Sequence, residues 1–164
     1  MKLNLILATT LCSLAASLFT PAVDAAASPN KTAVIRQVEG VQEFQLPNGL
    51  QVLLIPDQSK PTTTINLTVR VGSKHENYGE TGMAHLLEHL LFKASDRYPD
   101  ALAEFSRRGF RANGTTWLDR TNYFASFAEN EANLQWYLGW LADAMVSAKL
   151  SRKDLDTEMT VVRN

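Results

Sequence analysis

The sequence contains little cysteine, proline or glycine, and it has no excess of charge of either sign. One cysteine among 164 residues excludes a disulfide scaffold. Six prolines and eight glycines exclude a collagen-like chain, and 45% apolar residues exclude disorder. Lys plus Arg number 16 and Asp plus Glu 17, so no basic field would attract nucleic acid or an anionic membrane. One compact domain with a buried core is the expectation.

The first 25 residues have the pattern of a secretory signal peptide. Lys2 precedes an apolar run of about 17 residues, and Val23-Asp24-Ala25 places small residues at the last and third-last positions. We therefore expect removal of residues 1–25 and export to a bacterial periplasm, with a eukaryotic secretory route as the alternative. A transmembrane anchor is the competing interpretation, but the apolar run is at the short limit for spanning a bilayer.

Removal of this segment would leave no cysteine, since Cys12 is the only one. Leu11 stands where a lipid-anchor signal would have a small residue, so we do not predict a lipid anchor. The processed chain would have neither a disulfide nor a thiolate metal ligand, which is compatible with an oxidising compartment. We expect no membrane association after removal of the signal and no nucleic-acid partner.

The rest of the sequence divides into a flexible leader, residues 26–40, and one domain, residues 41–164. The predicted strands are 41–46, 50–55, 62–71, 111–117 and 121–128, and the predicted helices are 79–92, 99–108, 131–147 and one from residue 151. Because the strands cluster before helices, the pattern favours an α+β fold with an antiparallel or mixed sheet packed with helices.

Two of these segments have a predicted buried face. Apolar residues alternate with polar ones in the third strand, which predicts burial on one side. The residues of that side are Ile65, Leu67, Val69 and Val71. Apolar residues recur at helical spacing in 131–147 and predict a buried helix face. Its residues are Leu134, Leu138, Leu141 and Met145.

The chemistry is concentrated in His85-Leu86-Leu87-Glu88-His89. Residues four apart on a helix lie one turn above each other, so both imidazoles can point at one metal ion. Glu88 falls within a turn of both histidines and can take a proton from a metal-bound water. Zinc is the predicted ion, because two imidazoles plus a carboxylate form a catalytic site that keeps one position open.

A chance occurrence is the alternative interpretation of this motif. Ordinary residue frequencies would produce the pattern in a chain of this length on the order of once in a hundred. The surrounding leucines argue further against chance, since a buried helix would lose stability by burying Glu88 and two imidazoles without a shared partner. A metal ion is such a partner.

Several other motifs occur in order along the chain. They are Leu46-Pro47-Asn48-Gly49-Leu50, Gly82-Met83-Ala84, Leu90-Leu91-Phe92-Lys93, Asn113-Gly114-Thr115-Thr116 and Asp119-Arg120-Thr121-Asn122-Tyr123. Together with the His-x-x-Glu-His motif, they resemble the pitrilysin or insulinase family of zinc metallopeptidases. The resemblance covers residues 41–164. It implies the fold of that family's amino-terminal domain, Zn²⁺ as cofactor, and a peptide or unfolded protein as substrate.

The resemblance also implies roles for individual residues. His85 and His89 match the zinc-binding histidines, and Glu88 matches the general base. Asn113 matches a strand-edge position where the family holds substrate backbone as an added β-strand. Glu158 matches an acidic residue that supports the site without binding zinc.

The third zinc ligand of the family would lie just outside the sequence. It is a glutamate seven residues beyond the position of Glu158, which would be residue 165, while the sequence ends at Asn164. Glu158 cannot replace it, because seven helical residues span about 10.5 Å. Family members also have a second, similar half that closes over the first. We therefore expect an amino-terminal piece of a peptidase, truncated at its C-terminal end.

Three functional hypotheses follow. The leading one is a zinc-dependent metalloendopeptidase domain that hydrolyses peptide bonds through a zinc-bound water. The second is a non-catalytic fragment that acts only by association with a complementary half. The third is a small-molecule lyase that uses His-x-x-Glu-His with a cysteine as third ligand, and a cysteine-free processed chain disfavours it.

Overall fold

A computed structural model describes residues 33–162, which divide into two compact units on either side of the Pro56–Asp57 bond. The predicted signal peptide and residues 26–32 of the predicted leader lie outside the described residues. Between residues 33 and 162, no helix combines the length and the hydropathy needed to cross a membrane.

The first unit contains a three-stranded antiparallel sheet. Its strands are β1 (Val34–Val38), β2 (Val41–Gln45) and β3 (Gln51–Leu54), in the spatial order β1-β2-β3. Glu39 and Gly40 join the first two strands with φ of 48° and 85°, as a type I′ turn requires. The second hairpin turns at the predicted Asn48-Gly49, where Asn48 Oδ1 accepts a hydrogen bond from the Leu50 N–H at 3.1 Å.

Strand β1 corrects the prediction of a flexible leader. Residues 34–38 fall within the predicted leader, yet they pair with β2, with Val38 opposite Val41. All five side chains of β1 are exposed. Since burial of one face is what produces an alternating apolar pattern, such a strand leaves no period of two in the sequence.

The second unit is a three-stranded antiparallel sheet with four α-helices. Its elements are β4 (Thr62–Val69), a 3-10 turn (Ser73–His75), α1 (Met83–Leu91), α2 (Ala101–Arg108), β5 (Arg111–Thr116), β6 (Thr121–Ala128), α3 (Glu131–Ser147) and α4 (Arg152–Val162). β6 lies between β4 and β5 and pairs antiparallel with both. The predicted α+β class is confirmed.

An aromatic core joins β6 to the helices. Alternate residues of β6 are buried, among them Tyr123 and Phe127. Phe110 stacks on Phe127 with ring centroids 4.6 Å apart, and Phe105 meets Trp140 edge-to-face at 4.8 Å. These contacts are the offset and T-shaped arrangements that aromatic rings prefer. They connect α2, β6 and α3.

The two predicted buried faces agree with the structure only in part. In β4, the predicted apolar residues are half-buried and alternate with exposed polar ones, but Val71 lies beyond the strand and is exposed. In α3, Tyr137 and Trp140 are fully buried, whereas the predicted core residue Leu138 is 49% exposed. The prediction was confirmed at Leu141, which is 5% exposed, and was wrong at Leu138, because Tyr137 and Trp140 occupy the buried side of α3.

The β5–β6 hairpin is fixed at its tip. Thr116 pairs with Thr121, and the Trp117 N–H donates to the Arg120 carbonyl at 2.8 Å. The chain leading to α1 approaches this tip so closely that a Cβ at Gly72 would collide with the Trp117 carbonyl oxygen. Only glycine permits this approach. β5 is thereby held in contact with α1.

Candidate metal centre

Helix α1, which carries the His-x-x-Glu-His motif, begins without a side-chain cap from its own N-cap residue. That residue is Gly82, with φ of 91°. The Glu76 carboxylate caps the helix instead: one oxygen accepts a hydrogen bond from the Gly82 N–H at 3.0 Å, and the other accepts one from the Ala84 N–H at 2.9 Å. An anion at a helix N-terminus also complements the helix dipole. Glu76 therefore fixes the turn that presents His85.

The two histidines of the motif face each other. His85 is exposed and His89 is half-buried. Their Nε2 atoms are 3.1 Å apart, and their rings meet edge-to-face with centroids 4.7 Å apart. The structure thus brings both imidazoles to one point, as residues four apart on a helix allow.

Glu158 of α4 lies between His89 and Lys93. Its Oε2 is 2.7 Å from His89 Nδ1, and its Oε1 is 2.6 Å from Lys93 Nζ. An ionised carboxylate can only accept hydrogen bonds, so His89 Nδ1 carries a hydrogen, and in the neutral imidazole the lone pair is then on Nε2. The hydrogen bond from Lys93 lowers the pKa of the Glu158 carboxyl, the hydrogen bond from His89 adds to this, and burial opposes both.

Glu88 is buried against strand β5. Its exposed fraction is 6%, and Thr116 Oγ1 donates a hydrogen bond to its Oε2 at 2.7 Å. A Cβ at Gly114 would lie 2.5 Å from Glu88 Oε1, so the carboxylate occupies space that a side chain at 114 would take. Burial raises the pKa of the Tyr123 hydroxyl, and the negative charge of Glu88 raises it further.

Asn113 lies on an edge of the sheet. β5 pairs with β6 on one side, and the strand order of this unit leaves its other side open. The Asn113 side chain is exposed, and its Oδ1 accepts from the Gly114 N–H at 2.9 Å. Since Gly114 borders Glu88, the open strand edge passes beside the buried carboxylate.

The histidine pair fits zinc, whereas the described residues do not supply a third ligand. Imidazole nitrogens bind zinc at about 2.0–2.1 Å, so two of them on one tetrahedral ion are about 3.3 Å apart. The observed 3.1 Å is close to that spacing. Within residues 33–162, no group of three His, Cys, Asp or Glu side chains is arranged to hold a metal ion. Glu158 is engaged with His89 Nδ1 and Lys93 and does not provide the third ligand.

Three residues at this centre were not among the site residues predicted from the sequence: Glu76, Lys93 and Thr116. Lys93 follows His89 by four residues, which is also the spacing between the two histidines. This spacing could have predicted that Lys93 lies on the same side of the helix as His85 and His89. Glu76 and Thr116 reach the centre through tertiary contacts, which residue spacing does not predict.

Residues 51–164 match the model of the insulinase family, peptidase family M16. The chain belongs to this family. The resemblance read from the motifs is thereby confirmed, and all five candidate residues fall within the matched segment.

Relatives of this insulinase-family chain include zinc protease PqqE of Helicobacter pylori, 35% identical over 126 residues that cover 74% of this chain and 28% of PqqE. Protease 3 of Salmonella typhimurium is 35% identical over 124 residues, which cover 74% of this chain and 13% of Protease 3.

Two solved structures of proteases have the same fold. The crystal structure of the first half of the periplasmic protease PqqL from Escherichia coli superposes with a TM-score of 0.71 at 28% identity, covering 79% of this chain and 29% of that one. A protease from Helicobacter pylori gives a TM-score of 0.67 at 32% identity, covering 74% and 29%. The insulinase-family chain thus spans less than a third of the length of these relatives, and the PqqL structure is itself one half of a protease.

Proposed function

We propose that this chain is the zinc-binding, amino-terminal domain of a metalloendopeptidase that hydrolyses peptide bonds. The observation that carries the proposal is the convergence of His85 Nε2 and His89 Nε2, 3.1 Å apart, beside the buried Glu88 on one helix of an insulinase-family chain. Relatives named zinc proteases support zinc as the cofactor.

Different residues of α1 bind the metal and transfer the proton. His85 and His89 would hold zinc, which supplies Lewis-acid polarisation of a water molecule and of the peptide carbonyl. Glu88 is the general base: it takes a proton from the water and returns it to the leaving amine. Thr116 restrains this carboxylate through Oε2. Glu158 keeps the hydrogen of His89 on Nδ1, so that Nε2 stays free to bind.

The open edge of β5 would hold the substrate. Unpaired backbone groups at a strand edge bind an extended peptide as an added strand, a mode that reads main chain more than side chains. Asn113 lies on this edge, and the next residue borders Glu88. A peptide or unfolded protein added along β5 would therefore have its backbone beside the general base.

We infer that the active enzyme needs more than the described residues. Catalytic zinc sites use three protein ligands, so the third would come from outside residues 33–162, where the family resemblance places a glutamate at position 165. A second, similar half would complete the grip on the substrate, since the PqqL structure is one half of a protease. Export to a bacterial periplasm is part of the proposal, supported by the amino-terminal pattern and by the periplasmic PqqL.

A second candidate is a non-catalytic fragment that acts only by association with a complementary half. It is favoured by the lack of a three-residue metal-binding group among residues 33–162. The two candidates differ in whether a complete zinc site forms in the assembled protein.

The zinc content and activity of the wild-type protein separate them, and substitution of Glu88 by glutamine tests the role of that residue. The experiment uses the longest polypeptide that the gene encodes, with zinc content and hydrolysis of an internally quenched peptide as readouts. Glutamine keeps the shape and loses the base, so we expect hydrolysis to fall by about 10²- to 10⁴-fold while zinc content stays unchanged. His85→Ala should lose both. The exposed Glu129 provides the matched control, since Glu129→Gln should retain both zinc and activity. Loss of zinc in Glu88→Gln would make Glu88 a ligand, and zinc-free, inactive wild-type protein would favour the non-catalytic fragment.

A further inference from the structure

Three polar side chains follow one another along the same side of α1. His85, His89 and Lys93 are spaced four residues apart, so each lies one turn beyond the last. Lys93 comes just after the end of the helix, where its N–H still donates to the Leu90 carbonyl at 3.1 Å. The histidines contact each other, and the Glu158 carboxylate bridges His89 to Lys93.

The Glu158 carboxylate is nearly enclosed, and its two oxygens have different partners. The side chain is 9% exposed, while those of His89 and Lys93 are each 28% exposed. A buried carboxylate without a cationic partner is costly, so removal of Lys93 would favour rotation of the Glu158 side chain toward water. This rotation would remove the acceptor that His89 Nδ1 now uses. This enclosure distinguishes the pair from ordinary surface ion pairs, which contribute little.

We propose that Lys93 is a positioning residue for the metal centre. By holding Glu158 Oε1, Lys93 keeps Oε2 on His89 Nδ1 and so keeps His89 in the tautomer whose Nε2 is free to bind a metal. This inference rests on the proposed function only in taking metal binding as the role of the free His89 Nε2. The contacts of Glu158 with Lys93 and His89 are present in the chain without a metal.

The tautomer of His89 can be measured without zinc or substrate. The sequence contains three histidines, so long-range ¹H–¹⁵N spectra of the full chain labelled with ¹⁵N-histidine contain three ring systems. These are assigned by single substitutions of His75, His85 and His89. For each neutral imidazole, the spectrum shows which ring nitrogen carries the hydrogen. We expect the His89 hydrogen on Nδ1.

Lys93→Met should lower the ratio of the Nδ1–H to the Nε2–H form of His89 by about tenfold or more, because the hydrogen bond from Nδ1 to a charged acceptor is lost when the carboxylate turns away. Lys93→Arg, which keeps the charge and a donor, should restore the ratio. Lys153→Met removes the same charge from an exposed position on α4 and should leave the ratio as in the wild type.

If Lys93→Met fails to fold, Lys93→Ala replaces it, because alanine also lacks both the charge and the donor and is small enough for this partly exposed position. The same loss is expected. An unchanged ratio in the folded uncharged variant overturns the proposal, as does an equal loss in Lys93→Arg or in Lys153→Met. Because no metal or peptide is present, failure of zinc binding or of hydrolysis would refute the proposed function and leave this result standing.

Discussion

Replacement of Glu76 by alanine tests whether a distant carboxylate holds the start of α1. The substitution removes two charge-assisted hydrogen bonds, to the Gly82 N–H at 3.0 Å and the Ala84 N–H at 2.9 Å. Hydrogen bonds to charged groups contribute about 1.5–3 kcal/mol, and helix caps about 0.5–2 kcal/mol. Glu76 is only half-buried, so solvent weakens the charge contribution. We expect the free energy of unfolding to fall by about 2 kcal/mol.

The assay is urea unfolding followed by far-UV circular dichroism. Glu76→Gln keeps one acceptor oxygen and should lose about half as much stability as Glu76→Ala. Glu129→Ala removes an exposed acidic residue and should change stability by no more than about 0.5 kcal/mol. If Glu76→Ala were no more destabilising than Glu129→Ala, the carboxylate would not be the cap, and the position of His85 would have to depend on packing alone.

Three further predictions concern zinc, pH and processing. Residues 26–164 should bind zinc weakly in calorimetric titration, because residues 33–162 supply two ligands of the three needed; tight one-to-one binding abolished by His85→Ala would contradict this. The backbone N–H and guanidinium of Arg97 hold the pKa of Asp143 below 3.8, so its stabilising effect is present above about pH 4 and is lost as the pH falls through the lowered pKa. The difference in unfolding free energy between wild type and Asp143→Asn should therefore shrink as the pH falls below about 4, and a constant difference would refute the assignment. Mass spectrometry of the exported protein should find Ala26 at the amino terminus, and an intact Met1 on a cytoplasmic protein would refute export.

Elements with a buried face were predictable from the sequence. The alternation in β4 and the 131–147 helix appear where they were predicted, because one side of each faces the core. β1 was missed because none of its side chains is buried. The buried side of α3 was predicted correctly at Leu141 and wrongly at Leu138, because that helix is apolar on several sides and Trp140 rather than Leu138 occupies the core.

The candidate site was predictable where the chemistry is local. The approach of His85 to His89 follows from the four-residue spacing on one helix. The contact of Glu158 with His89 spans 69 residues, and only family resemblance pointed to it. Thr116 was not predicted, because its contact with Glu88 depends on the strand pairing that sets β5 beside α1.

The register of β5 has a consequence for how such a gene tolerates insertions and deletions. Gly114 and Thr116 alternate with Asn113 and Thr115, so the two pairs lie on opposite faces of the sheet. If the 117–120 loop gained or lost one residue while the two strands went on pairing along their length, every residue of β5 would move by one position. The two faces of β5 would then be exchanged, and a side chain would lie against the Glu88 carboxylate. We therefore expect the protein to tolerate changes in loop composition better than changes in loop length. A variant library of this loop should retain many substitutions and very few changes in length.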